Sequence, residues 1–193
     1  MNAAERLFLD QGVAPTTIEQ ITSAADVAKG TFYLYFSSKD DVLASLSDRF
    51  AQQLLGKIQA AVAGQPVDDW KGKLESWTSA CANGYLDAIR LHDILFYGSR
   101  PASREALVDN TVIHDLAALL EAGTHAKAWL LDDSHFSAVF LFNGVHAVVD
   151  DAYVREKRVN RTRLSKRLEE ICSRAAGVRG SENPRGGRDS AAG

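Results

Sequence analysis

PTTIEQITSAADVAKGTFYLYFSSKDD, residues Pro15 to Asp41, is the stretch whose reading decides the rest. Thr16 and Glu19 stand at capping-box spacing, so a helix is expected to begin there. Ile18, Ile21 and Ala25 then recur at helical spacing and give that helix one buried stripe. Asp26 and Val27 interrupt it, and a second short helix can start near Ala28. Its Phe32 and Phe36, at i and i+4, point inward, whereas Lys29, Thr31, Tyr33 and Tyr35 carry polar tips.

The polar set has what a helix needs to enter the major groove of B-DNA, where its N-terminal half meets bases and phosphates. Gly30 costs a helix about 1 kcal/mol relative to alanine, yet it would let the backbone approach a duplex closely. A buried helix gains nothing from glycine at that point. Ser38 and Asp41 repeat the capping pattern for a third helix and place Lys39 in its first turn, where a helix N-terminus and a lysine together favour phosphate. The pattern is that of a helix-turn-helix.

Ala3 to about Leu46 resembles the DNA-binding domain of the TetR family of transcriptional regulators. The resemblance rests on Leu7, Phe8, Gly12, Thr16-Thr17-Ile18, Ile21, Ala24-Ala25, Val27 through Tyr33, Tyr35-Phe36 and Ser38-Lys39, about a quarter of the chain. It implies that Thr17, Lys29, Gly30, Thr31, Tyr33, Tyr35 and Lys39 fall on positions that contact operator DNA. It also implies a larger second domain that binds a small-molecule effector and pairs its last two helices in a homodimer. The chain departs from the family at Asp26, where glycine is usual; aspartate tolerates a left-handed turn better than most residues. Met1 stands where the family usually has an aliphatic pair preceded by a basic residue, so the first helix is about a turn short.

Composition agrees with an all-α fold. The chain has 193 residues, 46% of them hydrophobic, and no window alternates with period two for long. Its net charge is −3, which argues against a general coat for polyanions. The first 41 residues are themselves acidic: Glu5, Asp10, Glu19, Asp26, Asp40 and Asp41 stand against Arg6, Lys29 and Lys39. DNA binding must therefore come from the placement of few cations and from helix dipoles. Cys81 and Cys172 read as buried reduced thiols. With no signal peptide and no apolar run near the ~18 residues of a membrane span, a cytoplasmic protein without a membrane partner is expected.

In chain order, the helix-turn-helix domain occupies 1–46 and an effector-binding and dimerisation domain 47–176. A long helix from about 39 to 63 links them, and 177–193, rich in Gly, Ser, Pro and charge, is expected to be disordered. A fifth helix is expected over Val67–Ile89 with Trp70, Leu74, Trp77, Cys81, Tyr85 and Ala88 as its stripe. A break follows at Gly98 and Pro101, then a short helix at Arg104–Asp109, a helix at Val112–Ala126, and two long ones at His135–Lys157 and Thr162–Ala176. The penultimate helix is apolar around more than one stripe, through Phe140, Phe142, Val145, Val148, Val149 and Ala152. Such a helix is either central or meets another chain. With the family resemblance, Val145, Val148, Val149, Ala152, Leu164, Leu168 and Ile171 are expected at a dimer interface.

His92, His114, His125, His135 and His146 show no ligand-spaced pair, so neither a metal nor a cofactor is expected. No nucleophile triad, phosphate loop or zinc-protease motif supports an enzyme. Trp77, Cys81, Tyr85, Phe96, Tyr97, Phe140, Asn143 and His146 could instead line a cavity for a hydrophobic or aromatic effector, or could simply be core. The reading is a dimeric regulator of transcription that represses at a palindromic double-stranded operator and is released by a small molecule through the long fourth helix. The alternative is a helical protein-interaction module that keeps the fold without reading DNA.

Overall fold

Phe8, Ile21, Phe32, Val42 and Leu46 form the smaller of two cores, all under a tenth exposed. They come from four helices: α1 (Asn2–Gln11), α2 (Ile18–Ala24), α3 (Lys29–Tyr35) and the start of α4 (Lys39–Ala63). The computed structural model describes residues 1–96 and 110–178, and all regular structure among the described residues is helical. The remaining helices are α5 (Trp70–Asp87), α6 (Ile89–Phe96), α7 (Thr111–His125), α8 (Ser134–Arg155) and α9 (Arg161–Ala175). They enclose the larger core around Trp77, Tyr85, Leu116, Leu120, Val145 and Val149.

Local chemistry places the boundaries. Gly12 ends α1 at φ 86°, and the turned chain buries Thr16, whose hydroxyl donates to the Gly12 carbonyl at 2.6 Å. The cap of α2 therefore falls one residue later than the spacing of Thr16 and Glu19 led us to expect. Thr17 Oγ1 accepts from the Gln20 amide at 3.1 Å, and Gln20 Oε1 accepts from the Thr17 amide at 2.8 Å. Asp26 takes the left-handed conformation at φ 52°, so the turn keeps its shape without glycine. Ser38 caps α4 by accepting from the Asp41 amide at 3.2 Å.

The expected fifth helix is in fact two. Asp69 caps α5 by accepting from the Gly72 amide at 2.8 Å, and Ala88 leaves the helical region at φ −123°, ψ 21°. The chain bends there and resumes as α6, which carries helix to Phe96, past the expected end at Ile89. The bend has a purpose: α6 buries Ile89 and His92 in the large core and packs Ile94 and Leu95 onto the small one. The Arg90 guanidinium reaches the Leu9 carbonyl near the end of α1 at 3.0 Å. Thus α6, and not α4 alone, joins the two cores. Tyr97, Gly98, Pro101, the expected helix at 104–109 and residues 179–193 of the stretch expected to be disordered from 177 lie outside the described residues, whereas the Val178 amide donates to the Ser173 carbonyl at 3.0 Å.

On α8 the buried face is Ala138, Leu141, Val145, Val149 and Ala152, a 3.6-residue stripe turned into the chain's own core. This corrects the expected interface: Val145, Val149 and Ala152, with Leu164 and Leu168 of α9, are core residues of one chain. Val148 (41% exposed) and Ile171 (50%) do face outward, alongside Phe136 (70%) and Phe140 (66%). Trp129 is a core residue that composition alone did not mark. Its indole N–H donates to the Leu120 carbonyl at 2.8 Å, and its ring lies where a Cβ on Gly123 would be 2.1 Å away.

Candidate nucleic-acid interface and effector cluster

The α3 helix presents two faces. Phe32 goes inward and is 6% exposed; its ring meets Phe36 at 5.6 Å and the edge of Tyr33 at 5.4 Å. Outward lie Lys29, Gly30, Tyr33, Leu34 and Tyr35, with Thr31 half-buried at the rim. Tyr35 is 76% exposed and Leu34 80%. Leu34 went unmarked among the expected contact residues, because a leucine between tyrosines reads as core until the helix is seen in place.

Both lysines of this domain are engaged within the chain. Lys29 forms an ion pair with Glu19 across the α2–α3 turn. Its hydrogen bond to Glu19 raises the lysine pKa and, in return, lowers that of the carboxyl. Both groups are exposed, so water and salt weaken the pair and a phosphate can compete for the ammonium. Lys39 is held more firmly. Its ammonium donates to the carbonyls of Val13 (2.8 Å), Ala14 (3.2 Å) and Thr16 (2.7 Å). Those contacts use all three donors of the group, which corrects the expectation that Lys39 points at phosphate. Thr17 remains exposed at the α2 N-terminus, its hydroxyl oxygen accepting the cap bond.

Gly30 is open. A Cβ built on it meets nothing within 4 Å in the chain, so packing does not explain the glycine. Gly30→Ala should stabilise α3 by about 1 kcal/mol through helix propensity. If duplex DNA comes within van der Waals reach there, the added methyl should cost roughly tenfold or more in affinity. Urea midpoints and duplex titrations on the same preparation check both signs.

Of the eight residues expected to line an effector cavity, the seven among the described residues do not form one wall. Tyr85 and His146 do meet, with ring centres 4.5 Å apart, and Phe96 lies 4.6 Å from His92, a residue the sequence reading left as a generic histidine. Phe50 and Phe142 complete this aromatic cluster between α4, α5, α6 and α8. Trp77 sits two turns earlier on α5, roughly 12 Å away along the axis, where its indole donates to Asp115 at 3.0 Å. Cys81 is fully buried between them, and burial raises its thiol pKa far above the ordinary value. Phe140 and Asn143 lie on the outer side of α8, the Asn143 amide donating to the Val139 carbonyl at 2.7 Å. Both are therefore removed from the effector wall. The α8 helix turns fully every 3.6 residues, and only His146 among the three points to the cluster.

Polar groups run through the cluster. The Tyr85 hydroxyl donates to Asp150, and His146 Nδ1–H donates to the Phe142 carbonyl at 3.1 Å. Burial holds the His92 pKa down to about 4, with repulsion from His146 adding to it and Asp150 opposing. Burial lowers His146 as well, and it raises the neighbouring carboxyl of Asp93. An unfolded histidine titrates near 6.5. Below that pH the unfolded chain takes protons that the folded chain refuses, so stability present above about pH 6.5 declines toward pH 4. His92→Phe should flatten that decline, as urea midpoints at pH 7.5, 6 and 5 will read.

Comparison with known proteins agrees with this arrangement. Residues 1–46 match the family described as "Bacterial regulatory proteins, tetR family". The chain is 39% identical over 64 residues to the uncharacterized HTH-type transcriptional regulator YerO of Bacillus subtilis, covering 32% of this chain and 22% of that protein. It is 30% identical over 87 residues to the HTH-type transcriptional regulator TcmR of Streptomyces glaucescens, covering 45% of this chain and 38% of that one. These matches thus span well under half the length of either relative. The fold is shared over far more of the chain. The fatty acid degradation regulator FadR from Bacillus halodurans superposes with TM-score 0.73 over 92% of this chain and 97% of that one, at 24% identity. The helix-turn-helix residues, their geometry and these likenesses have one account: residues 1–46 form a DNA-binding domain of the bacterial tetR regulatory family, carried on a chain that shares the fold of a solved regulator over 92% of its length.

Proposed function

We propose that the protein is a DNA-binding regulator of transcription, not an enzyme, and that as a homodimer it represses at a palindromic operator. The outward face of α3 carries this reading. Tyr33, Leu34, Tyr35 and Thr31 lie beside an unobstructed Gly30 on a helix whose other side alone serves the core. A helix of that shape fits the major groove, and a twofold pair of them would address half-sites about 34 Å apart. Release by a small apolar or aromatic effector is supported by the cluster of Tyr85, His92, Phe96 and His146. Its α6 members share a short helix with Ile94 and Leu95. An effector that displaces α6 would press on α1 and α4, and a coupling of 1–3 kcal/mol gives a 5–150-fold loss of DNA affinity.

The test is selection of duplexes from a random pool by the full chain, followed by gel shifts at several salt concentrations. Enrichment of a palindrome bound well above random duplex is the expected result. Equal, weak binding to every duplex would overturn it and leave the helical interaction module.

A further inference from the structure

We propose that Leu34 reads the C5-methyl group of a pyrimidine in the major groove, which makes it a specificity-determining residue of this DNA-binding surface. The inference rests on the DNA-binding reading above and goes beyond it by naming the chemical group recognised. Leu34 is 80% exposed, more than any other large apolar residue of the helix-turn-helix. It contributes nothing to the small core, which α3 serves through Phe32 and, in part, Phe36. The neighbours with polar tips are Lys29, Thr31, Tyr33 and Tyr35, all able to donate hydrogen bonds to phosphates or base edges. Leu34 can do neither. It lies one turn beyond Gly30, on the same face, and a Cβ at Gly30 would meet nothing within 4 Å. The backbone there is free to come close to a base pair and carry the leucine to the groove floor.

The edges of base pairs in the major groove present donors, acceptors and one apolar group, the C5-methyl of thymine. An isobutyl side chain gains from covering a methyl and loses from covering a bare acceptor, whose hydration it would strip. Thymine and a cytosine methylated at C5 both present this methyl, and the two arms of the experiment below separate these sources.

The experiment starts from a duplex selected by the full chain. Each thymine of one half-site and its symmetry mate are replaced by uracil, which removes the methyl and keeps every hydrogen-bonding group. In a parallel arm, each cytosine is replaced by 5-methylcytosine. Loss of one buried methyl is expected to weaken binding by about 3–10-fold at one symmetric pair of positions. Leu34→Ala should bind the thymine and uracil duplexes alike, and Leu34→Met should recover much of the difference. Thermal unfolding should not distinguish either variant from the parent chain. If methylcytosine strengthens binding while uracil is tolerated, methylcytosine is the source of the methyl. Indifference to both substitutions at every position, or a loss equally large in Leu34→Ala, overturns the assignment. Selection of no duplex at all would sink the DNA-binding reading and this one with it, whereas a selected duplex blind to C5-methyls sinks only this one.

Discussion

Lys39→Ala is expected to loosen the helix-turn-helix domain and to weaken binding to every duplex, without flattening the salt dependence. The ammonium ties the first turn of α4 to three carbonyls of the α1–α2 loop, at Val13, Ala14 and Thr16. Charge-assisted hydrogen bonds contribute about 1.5–3 kcal/mol each, and water can replace part of that at a half-buried site. A net loss of about 2–3 kcal/mol is the reasonable expectation, a large fraction of what a small domain has. The α2 helix begins at the residue after that loop, so a loosened loop also misplaces α3. A lysine contacting one phosphate would instead lower the salt slope by about 0.9. Urea unfolding and the salt dependence of duplex binding separate the two roles. An unchanged midpoint with a slope lower by about 0.9 would show that Lys39 leaves the carbonyls for DNA.

Phe140→Glu combined with Val148→Glu is expected to leave a folded chain that is monomeric and has lost roughly 100-fold or more in operator affinity. Phe136, Val139, Phe140 and Val148 lie on the outer side of α8, with Ile171 exposed on α9. Phe136, Val139 and Phe140 stand three and four residues apart, and Val148 follows about two turns later on the exposed side. Charges on that side cost an isolated chain little, because surface substitutions usually stay within about 0.5 kcal/mol. In a dimer the same carboxylates would be buried without partners. A monomer holds one half-site only and gives up the avidity of two, commonly a factor of 10²–10⁴. The contrasting variant is Val145→Glu with Val149→Glu. These residues are 2% and 0% exposed within one chain, so that variant should fail to fold whatever its partner. Light scattering and far-ultraviolet dichroism read both. A folded Phe140→Glu/Val148→Glu dimer would place the interface elsewhere.

The two pairs of valine and phenylalanine positions show where sequence reading stops. Helical periodicity identified α8 as too apolar for a single buried stripe, and that was correct. It could not assign the stripes, because Val145, Val148 and Val149 have the same chemistry and differ only in the direction that packing gives them. The same applies to α3. Phe32 and Leu34 are both large and apolar, and only the position of the helix shows one buried and the other bare. Lys39 was misread for a different reason. A lysine in a first helical turn is a phosphate site when it faces solvent, and its engagement by carbonyls 23 to 26 residues earlier is a long-range fact.

By itself, the sequence determined what depends on near neighbours in the chain: helical periodicity, the Ser38 cap, the Gly12 stop, the tolerance of Asp26 for a left-handed turn and the family of the first 46 residues. The tertiary structure alone decided which face of α8 is core, that Lys39 is a strut, that Trp77 and Phe140 stand apart from Tyr85, and that α6 joins both cores. Each of these depends on contacts between residues far apart in sequence, where many side chains of similar polarity compete for one buried volume and only the packed chain selects among them.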